Sequence, residues 1–144
     1  MKMEKKTKYS TTKQEKEEFV DALSSCMQQH GEIYAAYLFG SFVTEELFAD
    51  VDLGVLLRRE FEDMLEYEIE LENKLEKLGR FRMDVRVLNK APISFAQNVI
   101  RSGRLILDRE PNIRSDFESY VLKKYFDFAP FRRIYLAEVI NAPL

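Results

Sequence analysis

Asp50 and Asp52 stand one residue apart at the head of an apolar run that continues to Leu57. In an extended strand successive side chains point to opposite faces, so both carboxylates project from the same face, a few ångströms apart. Two acids held that close repel each other unless a cation lies between them. Hard divalent ions such as Mg²⁺ take carboxylate oxygens together with substrate phosphates. Upstream, the apolar run 34–39 is short enough for a buried strand and is broken by Gly40-Ser41. Gly40 lets backbone approach a ligand closely. Ser41 offers a hydroxyl and, if a helix starts there, an N-terminus suited to phosphate. Strand, Gly-Ser turn, short connection and a strand bearing two carboxylates is a layout for chemistry on a phosphate.

A third carboxylate lies in residues 79–88, which alternate polar and apolar. Phe81, Met83, Val85 and Val87 share one face; Arg80, Arg82, Asp84 and Arg86 share the other. This is the pattern of a half-buried strand. If it pairs near the Asp50/Asp52 strand, Asp84 can complete a three-carboxylate metal site. The chain has one cysteine, Cys26, and one histidine, His30. An internal disulfide, a cysteine cluster and a multi-histidine site within one chain are therefore excluded, and any metal site must be built from carboxylates. Cys26 falls on an apolar helical stripe and reads as a core thiol. His30, at the end of that helix, reads as a partner of the last carbonyls.

The elements around these residues follow from periodicity. The chain has 144 residues, 46% hydrophobic and 33% charged, enough for one domain with a core. Its net charge of −3 gives no bulk pull toward nucleic acid. No apolar run is long enough for a membrane helix, and a reducing cytoplasm fits the cysteine count. Residues 1–12 read as a flexible basic arm, 13–110 as the core, and 111–144 as C-terminal helices packed on it. A helix over 12–30 buries Phe19, Leu23 and Met27, with Gly31 as its cap. Residues 60–78 form an amphipathic helix whose many carboxylates read as a wet face. Pro92 opens a further helix to about residue 101, and 104–108 is a short strand. The C-terminal third carries Phe117, Tyr120, Tyr125, Phe126, Phe128, Phe131 and Tyr135 on more than one helical face. With Arg132 and Arg133 beside them, exposed aromatics there point to a protein interface. Pro130 is expected to bend or break this helix, with Phe131, Ile134, Tyr135 and Val139 continuing the pattern in a last one.

Gly40-Ser41, then Asp50-x-Asp52, then a lone Asp84 on a later strand resembles the nucleotidyltransferase superfamily that includes DNA polymerase beta. In size and layout the chain is similar to its minimal nucleotidyltransferase (MNT) group, many of whose members are antitoxins paired with HEPN-domain toxins. The motif covers residues 33–108. The connection between Gly-Ser and Asp-x-Asp, residues 42–49, is shorter than the family's. It carries Val43-Thr44-Glu45 where Ala-Arg-Gly is expected, and Glu45 and Glu46 add negative charge.

The resemblance implies an α/β (α+β) nucleotidyltransferase fold, with a small mixed sheet of about four strands and helices mainly on one side. It implies Mg²⁺ as cofactor and ATP as co-substrate, with AMP passed to a tyrosine of a HEPN toxin. Asp50, Asp52 and Asp84 would hold metal and carry catalysis. Gly40 and Ser41 would contact phosphate, and Arg82 or Arg86 would help neutralise the leaving pyrophosphate. A homodimer is compatible with this. The other readings are a catalytically degenerate binding module that neutralises its partner by contact, and transfer to a small molecule.

Overall fold

The computed structural model describes residues 8–141, and side chains for 8–128 and Pro130. A four-stranded mixed sheet lies at its centre. In chain order the elements are β1 (Tyr9–Ser10), α1 (Lys13–Gln28), β2 (Ile33–Phe39), α2 (Ser41–Thr44), β3 (Leu47–Phe48), β4 (Asp50–Leu57), α3 (Met64–Glu76), β5 (Arg82–Val87), α4 (Ile93–Ser102), β6 (Arg104–Asp108) and α5 (Pro111–Asn141). The sheet order is β5-β4-β2-β6. β2 runs antiparallel to β4 and β6, whereas β4 and β5 are parallel.

Strand alternation divides the apolar residues into two layers. Val51, Leu53, Val55 and Leu57 of β4 join the larger core with Phe19, Leu23 and Met27 of α1 and Leu71 and Leu75 of α3. Leu56, on the opposite face, joins a smaller cluster with Ala35, Tyr37, Leu88 and Val99. Phe95 of α4 and Phe117 of α5 pack against that cluster. The sheet is thus covered heavily on one face and lightly on the other.

The carboxylates of α3 do more than solvate a wet face. The helix flanks the outer edge of β5. Glu76, Glu72 and Glu68 accept hydrogen bonds from the backbone N–H groups of Met83, Val85 and Val87 at 3.1, 2.9 and 2.9 Å. Glutamates four apart share a helix face, and alternate strand residues turn their N–H groups to the same edge. The two periods coincide closely enough for three such bonds. An edge strand that would otherwise offer unpaired donors is closed by its own crossover helix.

Three other expectations are revised. The end of α1 is not held by Gly31 in a left-handed cap; the His30 backbone N–H donates to the Met27 carbonyl at 2.9 Å, but its side chain does not cap the helix. The Arg109 guanidinium donates to the carbonyls of Met27, Gln28 and Ile33 at 3.3, 3.0 and 3.1 Å. His30 Nδ1 instead lies 3.4 Å from Glu32, which also accepts from the Tyr67 hydroxyl at 2.9 Å. Within the N-terminal segment, Tyr9 and Ser10 pair with Phe48 and Leu47, and the Tyr9 ring meets Phe81 edge-on at 5.3 Å; residues 1–7 lie outside the described residues. Finally, α5 runs through Pro130 as one helix. Proline removes one backbone donor, and the turns on either side keep theirs. The expected stripe Phe131, Ile134, Tyr135 and Val139, with Arg132 and Arg133, lies outside the described side chains.

Candidate active site

Asp52 and Asp84 are in-register neighbours across the parallel β4–β5 pair. Neighbouring strands lie about 4.8 Å apart, and in-register residues of parallel strands project from the same face. The sequence puts them there because the apolar residues of both strands, Val51, Leu53, Met83 and Val85, are committed to the larger core. The alternate positions must then face the other way.

Phe39 stands opposite Asp52 on its other side, across the antiparallel β2–β4 pair. The next residue, Gly40, has φ 76° and ψ −158°, a region essentially restricted to glycine. A Cβ at Gly40 would run into the Asp52 carboxylate. Gly40 is therefore required twice, for its backbone conformation and for the space Asp52 occupies. It opens α2, whose single turn begins with Val43 N–H donating to the Gly40 carbonyl at 3.1 Å.

A cavity of about 580 Å³ opens over this pair. Its lining includes the charged Asp52, Asp84, Glu68 and Arg86 and the apolar Phe39, Pro92 and Phe95. Arg86 Nε lies 3.2 Å from Asp84 Oδ1, so a guanidinium supplies the positive charge next to that carboxylate. The remaining residues read from the sequence fall nearby but apart. Asp50 is partly buried, on the same face as Asp52, in register with exposed Arg82, and neither lines the cavity. Ser41, the first residue of α2, does not line it either. Periodicity did not single out Glu68, Phe39 or Phe95. Glu68 is one of many glutamates on its helix, Phe39 is the end of an apolar run, and no pattern marks Phe95.

A larger cavity, about 630 Å³, lies between α1 and α2, but two of its cations, Lys16 and Arg104, are already engaged. Lys16 Nζ donates to the carbonyls of Phe42 and Glu45 at 2.7 and 2.9 Å, and Arg104 pairs with Glu17 at 2.7 and 3.1 Å. Burial is not what distinguishes the Asp52 cavity; the paired acids are.

The donor chemistry at the Asp52 cavity fits a hard divalent cation. The groups available as ligands are carboxylate oxygens, and Gly40, having no Cβ, lets the Asp52 carboxylate lie against its backbone. The ligand set is not already closed. Among the described residues no three Asp, Glu, His or Cys side chains form a ready ion site. Asp84 faces Arg86 instead.

The chain is similar to known proteins in family and in fold. The family described as "Polymerase beta, Nucleotidyltransferase" matches residues 21–112. No curated protein matches the chain. Among solved structures, the chain superposes with TM-score 0.70 on the complex of tri-AMPylated Shewanella oneidensis HEPN toxin with MNT antitoxin, at 19% identity over 87% of this chain and 98% of that one. A toxin–antitoxin structure with AMP-PNP gives TM-score 0.72 at 20% identity, over 84% and 98%. Another toxin–antitoxin complex, of MntA with HepT, gives 0.68 at 19%, over 85% and 97%. These likenesses establish a shared fold. With the family match extending over more than half of the sequence, the chain belongs to the polymerase beta nucleotidyltransferase family.

Proposed function

We propose that this protein is a Mg²⁺-dependent nucleotidyltransferase that passes AMP from ATP to a tyrosine hydroxyl of a HEPN-type partner, and so acts as its antitoxin. One observation carries the reading: Asp52 and Asp84 are paired in register, against a glycine that cannot be replaced without displacing Asp52, and they open on one cavity. The fold neighbours support the partner and the nucleotide, since they include a HEPN toxin complex and one with AMP-PNP. No helix among the described residues is long and apolar enough to cross a membrane, and a cytoplasmic setting suits such a pair.

In this reading Asp52 and Asp84 would hold Mg²⁺, with Asp50 as a further carboxylate on the same face. The ion, when bound, offsets charge on the phosphates and favours in-line displacement. The acceptor oxygen forms a bond to the α-phosphorus, the bond to the bridging oxygen breaks, and pyrophosphate leaves. Asp84 assists removal of the hydroxyl proton as the acceptor oxygen bonds to phosphorus. Gly40 and Ser41 contact phosphate oxygens. Arg86 neutralises pyrophosphate as it departs, and Arg82, beside Asp50, adds positive charge at the margin.

The test is incubation of the purified protein with ATP, Mg²⁺ and a HEPN-domain protein, read by intact mass. A gain of one AMP on a tyrosine, lost in Asp52→Asn, is expected. A partner neutralised equally well by Asp52→Asn with no mass gain would overturn transfer and favour neutralisation by contact. That second reading draws on exposed Tyr120, Phe126 and Phe128 of α5 and on exposed Glu45 and Glu46 in the short connection.

A further inference from the structure

We infer that the Phe95 ring, backed by Phe39, is the platform on which the nucleobase of the substrate stacks; this rests on the nucleotidyltransferase reading above. The lining follows the strand order. Asp84 of β5 flanks Asp52 on one side, and with Glu68 and Arg86 these charged residues suit phosphates with their ion. Phe39 of β2 flanks Asp52 on the other, and Pro92 and Phe95 line the same cavity. A nucleoside triphosphate has the same division, a polyanionic tail and a flat, largely apolar base. The volume, about 580 Å³, is in the usual range for a small-molecule site.

Phe95 is mounted for this role. It meets Phe39 edge-on, with ring centroids 5.5 Å apart and planes at 86°. Both rings rest on the smaller core cluster of Ala35, Tyr37, Leu56, Leu88 and Val99, yet neither is fully buried. An aromatic ring fixed from below and open to a cavity has its π-face available. Phe39 precedes Gly40 and stands in register with Asp52. The strand that supplies the glycine beside the phosphates thus also braces the ring under the base. Base and phosphates would be held by one rigid sheet end, which fixes the α-phosphorus relative to Asp52 and Asp84. Stacking reads the π-face rather than the base edge, so this wall contributes affinity for any nucleotide more than choice among them.

The test is calorimetric titration of ATP and of inorganic tripolyphosphate, each with Mg²⁺, into the wild type, Phe95→Leu, Phe95→Ala and Phe95→Tyr. Stacking predicts that ATP affinity falls about tenfold or more in Phe95→Ala and Phe95→Leu and is retained in Phe95→Tyr, while tripolyphosphate affinity is the same in all four. Unchanged ATP affinity in Phe95→Leu overturns the inference. So does an equal loss for tripolyphosphate, which would mean that Phe95 supports the fold and not the base. A raised KM for the protein acceptor with ATP affinity intact also overturns it and gives the wall to the acceptor. A wild type that binds neither ligand instead overturns the nucleotide reading itself, a result separable from failure of Phe95 alone.

Discussion

The Glu72 carboxylate accepts a hydrogen bond from the Val85 backbone N–H at 2.9 Å, one residue beyond Asp84. Its neighbour Glu76 accepts from Met83, one residue before. The strand carrying Asp84 is therefore gripped on both sides of that residue by α3. Burial raises the Glu72 pKa above its ordinary value; the Val85 bond opposes this, and Asp84, Glu68 and Glu76 add to it.

Two variants separate the charge of Glu72 from its acceptor. Glu72→Ala leaves the Val85 N–H unpaired at a covered edge and should cost about 1–3 kcal/mol in urea denaturation. Glu72→Gln keeps an acceptor and removes a carboxylate crowded by three others, so it should be at least as stable as wild type at neutral pH. The pH dependence has a definite sign. A carboxyl with a raised folded pKa binds its proton more tightly in the native state, so its contribution is full below the unfolded pKa and is lost as pH rises through the folded value. The thermal midpoint of Glu72→Gln relative to wild type should thus improve on going from the ordinary carboxylate range up to neutrality. A gap that narrows instead would rule this out.

Gly40→Ala should cost more function than stability. The backbone there lies in a region that costs a side-chain-bearing residue about 1–3 kcal/mol, and the new methyl would displace the Asp52 carboxylate. We expect a thermal midpoint lowered by several degrees, with transfer abolished even well below it. Transfer that falls only in proportion to the folded fraction would mean that Asp52 does not need its place.

Arg109→Ala should destabilise by about 1–3 kcal/mol, since several carbonyls at the end of α1 and start of β2 lose a charged donor. Arg109→Lys should recover only part of this, because an ammonium cannot reproduce the planar fork. Equal urea midpoints for the lysine variant and the wild type would contradict the capping role.

What could be read from the chain is what strand alternation and one glycine carry. Asp50-x-Asp52 and the alternation around Asp84 each fix a face, and Gly40 stands where backbone conformation demands glycine. The residues that remained hidden act across sequence distance. Glu68, Glu72 and Glu76 look like any solvated helix face until α3 is placed on the edge of β5. Arg109 caps a helix that ended some eighty residues earlier, and no local pattern announces it. Phe39 and Phe95 are apolar by type and become cavity walls only because the sheet end stops beneath them. Pro130 reads as a bend or a break, and one missing donor does not interrupt the helix.

The pairing of Asp52 with Asp84 makes a claim that single substitutions cannot test. If both hold the same ion, each of Asp52→Asn and Asp84→Asn should lower transfer on the order of a hundredfold or more, because either change loosens the charge stabilisation that the ion supplies. The double variant should then be scarcely worse than the worse single one, since residues acting as a unit are not additive. Chelation of divalent metal should abolish wild-type transfer and have little further effect on the variants. Asp50→Asn is the internal comparison. Asp50 shares the face but does not line the cavity, so a smaller loss is expected there. Losses that simply multiply in the double variant would mean that Asp52 and Asp84 act separately, and that their register across β4 and β5 reflects how the strands pack rather than a shared ion.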